Sequence, residues 1–216
     1  NLFLYQKHSK MRIANLPAFY LPYLVTPSPL RKKRKSGFLT PSINLNFFDT
    51  KVSQSTSLPY YFNISEDKEL TFTPSFNYGG GVDSSQRFLF DYNQMVSGGN
   101  LNFDLSVDTN LENQNNNKWI SEASLITNYN TNINEHFQFN LNSALQTSKY
   151  YIQTTNPYDE ISYKSSLSTS LTLTGYDLNK YDDKLLINTT TYQVTQQNED
   201  NKKIPTVLPF ISYFAG

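Results

Sequence analysis

The chain has 216 residues, 18 basic against 18 acidic side chains, and no cysteine. Balanced charge sets up no global field toward nucleic acid, and the lack of Cys excludes disulfides, Cys-ligated zinc and thiol catalysis within it. Aromatic residues reach 15% although the mean hydropathy is −0.54, which suits apolar side chains confined to one face of each strand. No run of about 18 apolar residues occurs, so no transmembrane helix is encoded.

The chain opens "NLFLYQKHSK" with neither an initiator Met nor a signal peptide, and so reads as a fragment or a processed piece. The stretch "MRIANLPAFYLPYLVTPSPL" is Pro-rich and apolar without clean alternation. Because Pro lacks the N–H that a central strand needs, the stretch reads as an irregular edge or a junction. A boundary is expected near residue 35, dividing 1–35 from 36–216. Just before it stand five consecutive basic residues, Arg31, Lys32, Lys33, Arg34 and Lys35. Alone they suggest nuclear import or a nucleic-acid contact, but neutral overall charge and the sequence that follows argue for a local role and no nucleic acid.

From about residue 40 the pattern has period two. Leu101, Phe103, Leu105 and Val107 alternate with Asn102, Asp104, Ser106 and Asp108. Leu70, Phe72, Phe76 and Tyr78 oppose Thr71, Thr73, Ser75 and Asn77, while Tyr163, Leu167, Leu171 and Leu173 oppose Ser166, Ser168, Ser170 and Thr172. About ten strands are expected, at 38–48, 54–64, 69–78, 85–95, 99–108, 119–129, 135–146, 161–174, 184–196 and 205–214. Strands of about ten residues exceed the usual five or six and match what a tilted strand needs to cross a bilayer. Short separators such as "SEDKE" and "VSGG" alternate with longer ones such as "YGGGVDSS" and "DTNLENQNNNK". Outer-membrane barrels show this pattern of short turns and long loops, although here it fades after residue 130.

No catalytic, metal or cofactor constellation emerges. His136 reads as a rim histidine, and His8 has no neighbour that suggests a triad or a metal site. The carboxylates of "SEDKE" and of Asp182 and Asp183 lack the periodicity of a calcium loop and read as solvated turn charge. No helix follows "YGGGVD", so it is a turn and not a phosphate loop. Pro41 and Pro59 interrupt the first two strands. Each removes a ladder hydrogen bond, either as strand-end punctuation or as a deliberate weakness in a seam.

The blocks "RKKRKSGFLTP" and "LPYYFNISEDKELTFTP" resemble the LptD family of lipopolysaccharide-assembly proteins. The matching positions include Ser36, Gly37, Phe38, Leu39, Pro41, Pro59, Tyr60, Tyr61, Asn63, Thr73 and Pro74, and "SQRFLFDY" keeps Arg87. Phe62 stands where Trp is commoner, and Gln86 where Glu is usual. The resemblance implies an all-β chain: the end of a periplasmic β-jelly-roll over 1–35, then the first part of an antiparallel transmembrane β-barrel over 36–216. It implies no enzyme but lipopolysaccharide transport across the Gram-negative outer membrane, the N-terminal segment lying in the periplasm. Expected partners are lipopolysaccharide, an LptE-type lipoprotein plug, periplasmic Lpt bridge proteins and outer-membrane lipid. Pro41 and Pro59 would mark a lateral gate between first and last strands. Arg31 to Lys35 would sit at the junction, touching lipid phosphates or serving as a solvated linker. A porin-like channel, a barrel-embedded hydrolase and a soluble adhesin-like protein are the rival readings.

Overall fold

The computed structural model describes residues 3–13, 16–27, 34–48, 51–79, 85–112, 118–156, 159–179, 182–196, 200–201, 204 and 206–215. Two strands, β1 (Phe3–Ile13) and β2 (Leu16–Pro27), form a separate antiparallel hairpin. The stretch expected to be an irregular edge or a junction is thus a paired ribbon, with a register shift at Met11/Arg12 and His8 at φ 54°. Half the N–H groups of a two-stranded sheet point outward, so it tolerates proline better than a central strand does.

All else belongs to one antiparallel sheet. Its strands are β3 (Gly37–Phe38), β4 (Ser42–Phe48), β5 (Lys51–Ser57), β6 (Tyr60–Asn63), β7 (Lys68–Gly79), β8 (Ser85–Val96) and β9 (Gly99–Glu112). It continues through β10 (Lys118–Asn132), β11 (Phe137–Gln146), β12 (Ser166–Tyr176), β13 (Lys184–Val194) and β14 (Val207–Phe214). Neighbours in sequence are neighbours in space, and the path ends at β14 on one side and β4 on the other. Each of the ten expected strands is found, the first two split at their prolines.

Period-two patterning fixes the register, because a slip by one residue would exchange the faces. Phe72, Phe90, Leu105, Leu125 and Leu145 line up across five strands on the apolar face. Nothing among the described residues covers that face. Phe76, Tyr78 and Leu145 are 42%, 47% and 44% exposed, and Phe72, Phe90 and Leu105 are only half-buried. Burial occurs on the other side. Ser106, Asp108, Ser124 and Gln146 are buried, beneath the connection between β11 and β12.

That connection was expected to be a turn running into a strand from 161. It holds a short helix α1 (Tyr151–Thr155) and a 3-10 turn over Glu160–Tyr163, so β12 starts only at Ser166. Asp159 starts the 3-10 turn by accepting from the Ile161 N–H. Ala144, Ile152 and Leu167 make a small apolar cluster with Ile126 and Ile161 packed against it. Leu167 is thus buried in that cluster while Leu171, its supposed facemate, is 36% exposed.

From β6 onward connection lengths alternate, past the point where the sequence pattern fades, whereas the two-residue 49–50 link between β4 and β5 falls at the end with the longer links. At one end the links are 64–67, 97–98, 133–136 and 177–183. At the other they are 80–84, 113–117, 147–165 and 195–206. "YGGGVD" falls largely in 80–84, outside the described residues.

The two-residue link Ser97–Gly98 joins Val96 to its partner Gly99. Gly98 sits at φ +67°, and a Cβ there would approach Asn132 Nδ2 to 2.1 Å. Gly98→Ala should destabilise the sheet by about 1–2 kcal/mol, the usual cost of a left-handed residue bearing a Cβ. Denaturant midpoints of the refolded protein check this, and an unchanged midpoint would contradict it.

Candidate functional site

Two features converge at the β3/β4 edge: a line of prolines and a polar latch. β3 pairs with β6 and β4 with β5, while β5 and β6 both pair with β7. Phe38 faces Tyr60, but Ser42 faces Ser57, so the first strand carries one extra residue within 39–41. This bulge switches parity. It puts Phe38 on the same face as Ile43 and Leu45; without it, Phe38 would side with the asparagines at 44 and 46. Pro41 lies in the bulge and Pro59 lies opposite in the break between β5 and β6.

Leu39 donates to the Pro59 carbonyl at 2.9 Å, and Leu58 donates to the Pro74 carbonyl at 3.1 Å. In an antiparallel ladder a residue's N–H and C=O point to the same neighbour. The donor missing at Pro59 therefore faces the first strand, and the one missing at Pro74 faces the second. Each of the first two seams is one bond short at the same level. Pro41 and Pro59 were singled out from sequence; Pro74, inside β7, was noted only as a motif position. A proline inside an otherwise regular strand is the signal that could have marked it.

Below the prolines, the two sequence blocks come together. Gly37 and Phe38 pair with Tyr61 and Tyr60, and the Phe38 and Tyr60 rings meet edge to face at 4.9 Å. The Asn63 N–H donates to Ser36 Oγ at 2.8 Å, and its amide reaches the Arg34 carbonyl at 3.4 Å. Arg34 Nη1 lies 2.6 Å from Glu69 Oε2, which also accepts from the Tyr61 hydroxyl at 2.8 Å. Of the basic run, Arg34 is thus tied to the sheet, whereas Arg31, Lys32 and Lys33 lie outside the described residues. Lys35 is exposed. Arg34, Lys68, Glu69, Asn93 and Asn102 line a cavity of about 380 Å³ at this end. In the adjoining turn, the Ser65 hydroxyl donates to Asp67 and holds its carboxyl below the usual range.

The third motif residue, Arg87, points to the polar face. Its Nε donates to Asp108 Oδ2 at 3.0 Å from the facing position on β9. Next to it, Tyr151 Oη of α1 lies 2.6 Å from Ser106 Oγ, and burial pushes the Tyr151 hydroxyl up to about 12. Ile152 N–H donates to Gln146 Oε1, and Gln146 Nε2 donates to the Lys149 carbonyl. These bonds hold the 147–165 connection onto the polar face.

The remaining sequence candidates are placed as follows. His136 is exposed at a strand end, its Nδ1 3.1 Å from the Tyr176 carbonyl oxygen. His8 Nδ1 lies 2.6 Å from the Tyr20 hydroxyl. Asp182 is exposed, but Asp183 is not solvated turn charge: it is 2% exposed and accepts from the Tyr213 hydroxyl at 2.5 Å. Its partner lies on β14, thirty residues away, so local sequence could not reveal the burial.

No protein-family model matches the chain. Part of it is similar to proteins named LPS-assembly protein LptD. In Shewanella sp. (strain MR-4) the identity is 37% over 91 residues, 42% of this chain and 11% of that protein. In Shewanella frigidimarina (strain NCIMB 400) it is 40% over 83 residues, 38% of this chain and 10% of the relative. In Photobacterium profundum it is 31% over 106 residues, 48% of this chain and 13% of the relative. The chain therefore carries an LptD-like segment, and the matched part spans about a tenth of these relatives' length.

The two ion pairs should differ in worth. Arg87 and Asp108 are 23% and 7% exposed as side chains, against 68% and 29% for Arg34 and Glu69. Removing one partner of the Arg87–Asp108 pair strands a buried charge and should cost about 3 kcal/mol or more. Arg87→Met with Asp108→Leu should recover most of that loss. The Arg34–Glu69 coupling should stay below about 1 kcal/mol. Double-mutant cycles on unfolding midpoints measure both, and equal couplings would contradict this ranking.

Proposed function

We propose that this chain is the leading wall of an outer-membrane barrel that transports lipopolysaccharide, with residues 1–35 ending a periplasmic domain. The observation that carries the reading is the inverted burial. The Phe/Leu face is uncovered, whereas the Ser/Asn/Asp face holds most of the buried polar side chains. A water-soluble sheet covers its apolar face; a sheet in lipid leaves that face to the acyl chains and turns its polar face to a lumen. Alternating connection lengths and the similarity to LPS-assembly proteins support the same reading. The function is conduction and not catalysis.

On this reading the short-turn end is periplasmic, and the basic run lies there beside lipid headgroups. Arg31, Lys32, Lys33 and Lys35 draw in anionic lipid phosphate by charge-assisted hydrogen bonds, while Arg34 anchors the run through Glu69. Lipopolysaccharide arrives over a bridge of periplasmic Lpt proteins docked on the N-terminal domain, and an LptE-type lipoprotein fills the lumen. The sugar part crosses along the polar face. The lipid part leaves sideways where the first strand meets the last.

In a bilayer every backbone group must be paired, so a barrel seam ordinarily stays shut. A net hydrogen bond is worth about 1 kcal/mol and an unmade one costs more. The donor lost at Pro59 falls in the seam behind the first strand, so with Pro41 in its bulge that strand is held loosely and can swing away from the last; on this reading these two residues form the lateral gate. Pro74 extends the weakness inward by one strand.

Pro41→Ser with Pro59→Ala in the full-length protein restores two donors and should impede export. Surface lipopolysaccharide should fall and envelope permeability should rise, read by surface labelling and dye uptake. Unchanged surface lipopolysaccharide with unchanged permeability would contradict the gate. If lipopolysaccharide display does not depend on the protein at all, while small solutes cross through it, the porin-like reading takes its place.

A further inference from the structure

The register of the polar face aligns two rows of uncharged side chains across the sheet. One row is Asn93, Asn102, Asn128, Asn142, Ser170 and Thr190, on β8 to β13. The other, two residues along each strand, is Asn100, Asn130, Asn140, Thr172 and Asn188. Strand spacing sets a step of about 4.8 Å along a row, and the pleat sets about 7 Å between rows. That cell is close to the footprint of one pyranose ring.

Rows of amides can also be a purely structural ladder, each side chain bonded to the next. Such pairing takes up only part of the rows, and Asn93 Nδ2 is also engaged, by the Asp91 carboxylate at 2.8 Å. Asn100 Nδ2 donates to Asn102 Oδ1 at 2.5 Å, Gln138 to Asn130 at 3.3 Å, and Thr190 Oγ1 to Asn188 Oδ1 at 3.1 Å. Asn128, Asn140 and Asn142, on β10 and β11, bond to no other side chain among the described residues, and Asn128 and Asn142 are exposed. Each amide offers two donors and an acceptor with two lone pairs, the complement of vicinal hydroxyls. Charge points the same way. The rows carry none, so their match is a neutral polyol and not a phosphate or a cation.

We propose that these rows are a sliding track for neutral stretches of oligosaccharide, entered from the cavity lined by Arg34 and Lys68. Neither row contains an aromatic ring on which a sugar could stack, so each contact is weak and is repeated at the next strand. A chain laid across the strands exchanges one amide pair for the next without climbing out of a deep site. For its natural cargo the track rests on the transport reading above, but it binds free sugar on its own chemistry.

The test uses the full-length protein in lipid nanodiscs, with maltoheptaose as the probe and saturation-transfer NMR as the readout. Wild-type protein should bind weakly and saturably. Asn128→Ala, Asn140→Ala and Asn142→Ala together should weaken binding by about tenfold or more, as expected for losing several modest hydrogen bonds. Ser143→Ala with Thr169→Ala, on the opposite face, should leave it unchanged. If the triple variant fails to fold, the single exposed change Asn142→Ala replaces it, with an expected loss of about two- to threefold. Absence of wild-type binding, or equal binding by the polar-face variants, overturns the track. Sugar binding without any effect of the protein on surface lipopolysaccharide would retain the track and overturn the transport reading. Intact lipopolysaccharide display without sugar binding would do the reverse.

Discussion

One constraint organises the molecule: each strand must satisfy its backbone through its neighbours, because among the described residues only a small apolar cluster stands behind the sheet. Among the described residues the buried apolar side chains are Ala144, Tyr151, Ile152, Leu167 and Val194. Such a core is far too small to hold a sheet of this size by burial alone. Cohesion comes from the ladders and from cross-strand side-chain pairs on both faces. The tilted Phe72–Phe90 contact at 4.8 Å on one face and the Arg87–Asp108 pair on the other are examples.

The edge region follows from that constraint. Where ladders supply the cohesion, a missing donor is a direct loss, and the losses at Pro59 and Pro74 lie side by side. The lower half of the same edge is reinforced by contacts that do not depend on the ladder: the Phe38–Tyr60 rings, the Asn63–Ser36 bond and the Arg34–Glu69–Tyr61 set. Weakness and reinforcement are thus separated along the strand. The latch keeps the basic run tethered whatever happens above the prolines.

Strand identity was legible in the sequence wherever alternation ran unbroken, as in 69–78, 85–95 and 99–108, because a half-buried strand has no other way to sort its side chains. Three features were hidden. The extra residue in 39–41 shows only as a parity change between Phe38 and Ile43, which needs the partner strand to be visible. α1 has five residues, too short for a helical period, and is held by Ser106 and Gln146 from distant strands. The β1–β2 ribbon was masked by its prolines, which a two-stranded sheet tolerates better than a central strand does. For the candidate site, the motif residues at 36–39, 60–63 and 87 were found from sequence, but their contacts with Glu69 and Asp108 were not. Those depend on register, as do the asparagine rows.

The account stands on the claim that the Phe/Leu face meets lipid and the Ser/Asn face meets water. The chain has no cysteine, so single-cysteine variants along β11, from Phe139 to Ala144, can carry spin labels in the full-length protein reconstituted into bilayers. Accessibility to oxygen, which partitions into lipid, and to a water-soluble nickel chelate should then alternate with period two. Positions 139, 141 and 143 should favour oxygen, and 140, 142 and 144 should favour nickel or be shielded from both. Odd positions shielded from oxygen, or no alternation at all, would contradict the membrane placement and the transport reading with it.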